Sequence, residues 1–289
     1  MGSVSYAALH AKCLPSGHDA LNRAPPPDLG SELRRCRLQL GRGVTEKPAW
    51  LEVNIQVTGI DNIHPMMDEL DRRGILATVW LGGAEFDVEC ASVGNWADEG
   101  HEFAGKYPTE IVDETPRSEQ EAEMSAILEA GSRCGAGAIS GFRANRFTAD
   151  QDTYELMDDK GFDYLERSAR AERYSVYTFK PYPLQGHTFA ALPMPIVVYY
   201  GVAGSICDNS CQKMMTPDDL QVYEKYAIDV HLRTGEPLVF EWHPGTTHPG
   251  DATGWWGAFT GLLDELQSQG GRVQFVTAHQ LVEKYATAQ

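Results

Sequence analysis

Apolar and polar positions along this chain switch repeatedly between two periods. Leu51 to Val57 (LEVNIQV) is short, apolar and β-branched, which predicts a buried strand. Ile63, Met66, Met67 and Leu70 then recur at helical spacing. Asp61 or Asn62 is placed to cap that helix, Pro65 falls in its first turn where a missing N–H is harmless, and Gly74 ends it. Leu76 to Leu81 reads as a second strand and Gly82-Gly83 as a turn. A strand–helix–strand unit needs a crossover connection and therefore parallel pairing. Chemistry in parallel sheets collects at the carboxyl ends of the strands, so Gln56 to Asp61 is the first place to look.

The alternation continues. A helix is expected over Cys90 to Glu99 and a strand over His101 to Gly105. An amphipathic helix follows from Ser118 to Arg133, with Ser118 and Glu121 as a capping box. Ala138 to Phe142 is a strand leading into Arg143, Asp150 to Lys160 a helix, and Phe162 to Leu165 the start of another strand. Ser168 to Thr216, rich in Tyr and Pro, predicts loops and short strands, including Ile196 to Tyr200. Helical spacing returns at Leu220, Tyr223, Tyr226, Ala227 and Val230. Leu238 to Glu241 is a strand ending at Trp242-His243-Pro244, and Trp255, Phe259, Leu262, Leu263 and Leu266 line a helix. Val273 to Val276 is a last strand, and Thr277 caps a final helix to Lys284. Six or seven alternations make an α/β barrel pattern slightly short of eight. Residues 48–289 read as one domain. Residues 1–47, with Pro25-Pro26-Pro27, read as an N-terminal arm packed on it or a partly disordered leader.

Charge narrows the partners. A net charge of −17 argues against nucleic-acid binding, which needs clustered Lys and Arg, and against docking on anionic lipid. No apolar run approaches the roughly 20 residues of a transmembrane helix. The start of the chain lacks the apolar core of a signal peptide, and Met1-Gly2-Ser3 resembles an expression scar. A cytoplasmic location is expected unless a leader has been removed. Six cysteines permit disulfides without requiring them; Cys207 and Cys211 fit a local disulfide, buried thiols or half a metal site.

Five pieces in order then carry a resemblance: GILATVWLGG after the first helix, GHEFAGK, GFRANR followed by a helix and KGFDY, VFEWHPG, and VQFVTAHQLVEKY. Together they resemble the polysaccharide deacetylase family, carbohydrate esterase family 4, over roughly residues 50–286. The resemblance implies a distorted, incomplete (β/α) barrel. It also implies hydrolysis of an N- or O-acetyl group with one divalent metal, which polarises the carbonyl and lowers the pKa of its bound water. The family's Asp-Asp pair, supplying the base and a metal ligand, falls here on Thr58-Gly59. Its two His ligands fall on Lys106 and Glu110. Arg143 and His243 remain at the positions of the Arg that orients the catalytic carboxylate and of the late His that handles the leaving-group proton.

The candidate catalytic residues are therefore His243, Arg143, Lys106 and Glu110, with Lys106 and Glu110 either an acid/base pair or a solvated ion pair. Thr58, Asp61, Trp242 and Trp255 are candidates for substrate binding, since aromatic faces match the C–H faces of sugar rings; for the two tryptophans the alternative is core packing, and for Asp61 helix capping. His101 matches a structural His, and His64 and His248 read as surface positions. No metal is expected; the alternative is a divalent ion such as zinc with ligands relocated to Asp61, His64, Glu110 and His243. The readings are a hydrolase of an amide or ester of a carbohydrate or related small molecule, without the usual metal site, or a non-catalytic carbohydrate-binding descendant of the fold. Relatives that open cyclic amides without a metal share the architecture.

Overall fold

The computed structural model describes residues 51–111, 115–168, 180–194, 196–199, 202–205 and 216–286. The arm expected over residues 1–47 and the pair Cys207/Cys211 lie outside the described residues.

The first strand, β1 (Leu51–Thr58), is buried along its whole length. It is followed by α1 (Ile63–Arg73), β2 (Ala77–Leu81), α2 (Gly83–Val88), α3 (Cys90–Asp98), β3 (Glu102–Glu110), α4 (Arg117–Arg133), β4 (Gly141–Asn145), α5 (Gln151–Lys160) and β5 (Tyr164–Ser168). Then come β6 (Tyr182–Pro183), β7 (Ala190–Met194), β8 (Ile196–Tyr199), β9 (Val202–Ser205), α6 (Pro217–Thr234), β10 (Leu238–Trp242), α7 (Trp255–Ser268), β11 (Val273–Phe275) and α8 (Ala278–Ala286). The main sheet runs β10-β1-β2-β3-β4-β5-β7-β6. All its pairs are parallel except β6–β7. One edge of β1 is shared, by β11 over Leu51 to Val53 and by β10 from Val53 to Val57. The sheet curls into an incomplete barrel of polysaccharide deacetylase type.

Local chemistry explains most boundaries. Gly74 adopts a left-handed C-cap that ends α1 with N–H bonds back to the last turn. Asp150 caps α5, and Thr277 and Gln280 exchange bonds of 3.3 and 3.0 Å as a capping box for α8. Four expectations are corrected. Asn62 occupies the N-cap of α1 in a left-handed conformation without a side-chain bond, so neither it nor Asp61 caps through its side chain. Pro116, not Ser118, precedes α4, again without a side-chain cap. Gly83 begins a short helix rather than completing a turn, because Glu85 reaches back 2.8 Å to the Gly82 N–H. Strand β4 starts at Gly141, later than expected; the Tyr164 ring crosses its backbone, where a Cβ would lie 2.2 Å from the ring.

Side-chain alternation sorts the strands into two faces. Val53, Ile55, Val57, Ala77, Val79, Leu81, Phe103, Phe142, Ala144, Leu165, Leu238, Phe240 and Trp242 join the core under the helices. Trp80, Ala104, Tyr164, Leu192, Met194 and Val239 form a second apolar cluster on the concave side. The remaining concave positions are polar: Asn54, Gln56, Thr58, Thr78, Arg143, Glu166 and Glu241 are all buried. A disulfide, Cys90–Cys134, ties α3 to the end of α4. Among the described residues no helix is long and apolar enough to cross a membrane.

Candidate functional site

At the carboxyl ends of the strands, the concave polar residues converge on Arg143. Its Nη1 donates to Glu166 Oε2 at 3.1 Å and reaches Thr58 Oγ1 at 3.4 Å. Its Nη2 pairs with Glu241 Oε1, which also accepts from the Thr58 hydroxyl at 3.1 Å. The guanidinium stacks on Phe147, 5.1 Å from the ring centroid. One cation thus holds two buried carboxylates together. Glu241 in turn lies 3.5 Å from His243 Nε2, just past the end of β10.

This arrangement is strained electrostatically. Burial first, then the neighbouring Glu241, push the Glu166 carboxyl up to about 7, against the pull of Arg143 and a weaker contribution from Gln56. The Gln56 amide is outside hydrogen-bond geometry, and Arg143 Nε and Glu166 Oε1 are also buried without a bond. The two Glu carboxylates raise the affinity of Arg143 for its proton further, outweighing its own desolvation.

Lys106 extends the cluster from β3, where it is in register with Arg143 on β4. Its Nζ pairs with Glu85 Oε1 at 3.1 Å, and that carboxylate is anchored by the Gly82 N–H. Gly59 faces the same carboxylate: a Cβ there would lie 3.9 Å from Glu85 Oε1. Glu85 therefore links the ends of β2 and β3, with the end of β1 beside it. The expected Lys106–Glu110 pair does not form. The β3–β4 register shifts between Lys106 and Glu110, and Glu110 pairs instead with the exposed Arg146.

The tryptophans go elsewhere. Trp242 shares the parity of Leu238 and Phe240, so it points under the helices and packs on Phe259 at 5.1 Å. Trp255 is buried in the same core. Neither presents a face to a ligand. Thr58 sits inside the cluster, and Asp61 is exposed at the rim, where a Cβ on Gly245 would come within 3.2 Å of its own Cβ. His248 accepts from the Gly250 N–H in a surface turn.

The residues do not fit the family's metal. At its base and ligand positions stand a hydroxyl already bonded to Glu241, a glycine, a lysine ammonium and a glutamate paired with Arg146. The relocated set is dispersed too: His64 pairs with Glu89 at 3.0 Å and rests on Trp96, while Asp61 is at the rim and Glu110 on Arg146. Among the described residues one trio has ligand spacing, Asp71, Glu99 and His101. There His101 Nδ1 accepts the Ala77 N–H at 3.0 Å and Nε2 meets Asp71 at 2.7 Å. Nε2 therefore carries the proton, and no lone pair remains for a metal. His101 is the structural His expected.

No protein-family model matches the sequence, and no curated protein matches it significantly. Solved structures do. A probable polysaccharide deacetylase from Pseudomonas aeruginosa PAO1 superposes with a TM-score of 0.64 at 13% identity, over 91% of this chain and 94% of that one. The chain has the polysaccharide deacetylase fold. The Puue allantoinase superposes equally well, with a TM-score of 0.64 at 12% identity over 83% of this chain and 91% of that one. A CE4 family pseudoenzyme from Bacillus anthracis gives 0.53 at 11% identity over 83% of this chain and 68% of that one. Glu85, Glu166 and Glu241 belong to the candidate cluster and were missed by the pattern reading. Glu241 had a signal, a lone charge in the apolar run LVFEW two residues before a candidate His; Glu166, two positions after Tyr164 in YLERS, had a weaker one.

Proposed function

We propose that this chain is a metal-independent hydrolase, acting on an amide or ester of a carbohydrate or related small molecule at the carboxyl ends of its strands. The observation that carries the reading is the Glu241–His243 contact, with Glu241 locked by Arg143 and Thr58. Glu241 is a positioning residue: its carboxylate, 3.5 Å from Nε2, favours a proton on that side of the imidazole. In the proposed reaction His243 takes a proton from the attacking water as the water oxygen bonds to the carbonyl carbon. The Lys106 ammonium stabilises the charge on the carbonyl oxygen, a task of the metal elsewhere in the fold. His243 then returns the proton to the departing nitrogen or oxygen as the carbonyl–heteroatom bond breaks. The likeness to an allantoinase supports including cyclic amides among candidate substrates.

The test is turnover of acetylated sugars, acetyl esters and cyclic amides in the presence of a chelator. Activity should survive the chelator and fall roughly 100-fold or more in His243→Ala. Loss of activity on chelation, or an unimpaired His243→Ala, overturns the reading. A second reading, a non-catalytic carbohydrate-binding descendant, is favoured by one observation: Arg143 and Lys106 are both already paired with carboxylates. The likeness to a pseudoenzyme fits it as well. Saturable sugar binding by calorimetry without turnover would select it. The Cys90–Cys134 disulfide supports an oxidising compartment over the cytoplasm for either reading.

A further inference from the structure

Glu85 does more than cap the helix it begins. It lies in the first turn of α2, and its Oε2 alone does the capping, accepting the Gly82 N–H at 2.8 Å. The Gly83 N–H goes to Glu123 Oε1 at 3.3 Å. Glu85 Oε1 is therefore not committed to the helix start, and it meets Lys106 Nζ at 3.1 Å. Lys106 shares the strand parity of Ala104, so it stands on the concave side, in register with Arg143. Neither partner is sealed: the Glu85 side chain is 27% exposed and that of Lys106 14%.

The end of β1 leaves space beside this pair. Gly59 has φ +91°, a conformation that disfavours any side chain. Apart from its chain neighbours, a Cβ there would meet only Glu85 Oε1 within 4 Å among the described residues, at 3.9 Å. The pair also has bonding capacity left. An ammonium carries three N–H bonds and a carboxylate oxygen two lone pairs. Among the described residues Nζ and Oε1 bond only each other. A donor and an acceptor thus stand side by side, 3.1 Å apart.

The complementary group carries an acceptor and a donor side by side, directed the same way. A ring amide does, because the ring holds its C–N bond cis and its C=O and N–H leave from one edge. An open-chain N-acetyl group is trans and sends them in opposite directions. An acetyl ester has no N–H and would set an oxygen lone pair against the carboxylate. We propose that Glu85 is a specificity-determining residue: Lys106 takes the carbonyl oxygen and Glu85 Oε1 the adjacent N–H of a cyclic amide, so the site selects ring amides over acetyl esters and open-chain N-acetyl groups. The inference rests on the hydrolase reading for the role of Lys106 and names its substrate class. One water is consumed: its oxygen bonds to the carbonyl carbon, the ring C–N bond breaks, and the proton held by His243 passes to the nitrogen, whose own N–H stays on Glu85. The product is an open chain with a carboxylate where the carbonyl was.

The experiment compares succinimide with N-methylsuccinimide on the full chain, by ligand-observed NMR titration and by turnover. The two probes share both carbonyls and differ in the N–H. The wild type should bind succinimide about 10- to 100-fold more tightly, the range for one hydrogen bond to a charged group. In Glu85→Gln the Gly82 N–H keeps the side-chain oxygen and turns the NH2 toward the ligand, so the preference should vanish; a merely steric rejection of the methyl would survive. Lys106→Met should weaken both probes alike and keep the preference. Equal binding of the two probes by the wild type overturns the proposal, and that comparison decides even where a variant fails to fold. An intact preference in a folded Glu85→Gln overturns it too, as does tighter binding of N-acetylglucosamine than of succinimide. The preference without turnover of either probe upholds the role of Glu85 and overturns the hydrolase reading. Turnover of acetyl esters with no succinimide preference does the reverse.

Discussion

The two ends of the concave side use similar residues to opposite effect. At the amino ends of the strands, Glu102 is also a carboxylate drawn out of water. Its Oε1 accepts from Tyr164 at 2.6 Å, and its Oε2 accepts from Thr78 at 3.0 Å and from the His279 N–H at 2.9 Å. Burial raises its carboxyl, and these three bonds pull it back. Thr78 completes the network by accepting from Asn54 at 3.0 Å and from the Ala278 N–H at 2.8 Å. The start of α8 therefore closes this end. At the carboxyl ends, Glu166 Oε1, Arg143 Nε and both polar atoms of the Gln56 amide are buried without bonds, and His243 and Lys106 stand toward the opening. A network that bonds both oxygens of its carboxylate, as the Glu102 one does with Asn54 Oδ1 left over, is a structural plug. An unsatisfied one with a displaced pKa is where a ligand has something to complete.

Variants can break this contrast. The largest effect is expected from Arg143→Ala, which strands two buried carboxylates and should cost about 3–5 kcal/mol in denaturant unfolding. An unchanged midpoint would remove Arg143 from any buried network. Glu166→Gln comes next. Because the folded carboxyl titrates near 7 and an unfolded one near 4.5, the folded state holds the extra proton between those values. Wild-type stability should therefore fall as pH rises through that window, by up to about 3 kcal/mol relative to Glu166→Gln, and level off above it. Parallel pH profiles for the two proteins would show that the site is not electrostatically strained. Tyr164→Phe tests the plug: it removes a bond to a charged acceptor and should cost about 2 kcal/mol with no change in any activity. Smallest of all, Glu110→Ala breaks an exposed pair with Arg146 and should shift stability by less than about 1 kcal/mol, leaving turnover intact. A large loss of turnover there would return Glu110 to the site.

The sequence by itself determined the elements and their order. Period-2 runs, helical spacing and glycine stops place β1, α1, α5, α7 and α8 within a few residues, because those signals are local and near neighbours in the chain create them. The ordered motifs also carried the fold, and they put Arg143 and His243 near the carboxyl ends of the strands. What only the tertiary structure decided is direction and partnership. Trp242 was adjacent to a site residue in sequence, yet strand alternation sends it under the helices and sends Glu241 inward. Lys106 and Glu110 were spaced as a pair until a register shift in β3 carried Glu110 to the rim and left Glu85, from a helix the pattern did not show, as the partner of Lys106. Glu241 and Glu166 lie 75 positions apart in the chain and share one guanidinium. The physical reason is the same in each case. Burial, pairing and pKa are properties of groups brought together across the sheet, and no local period encodes which carboxylate a curled sheet will deliver to a given arginine.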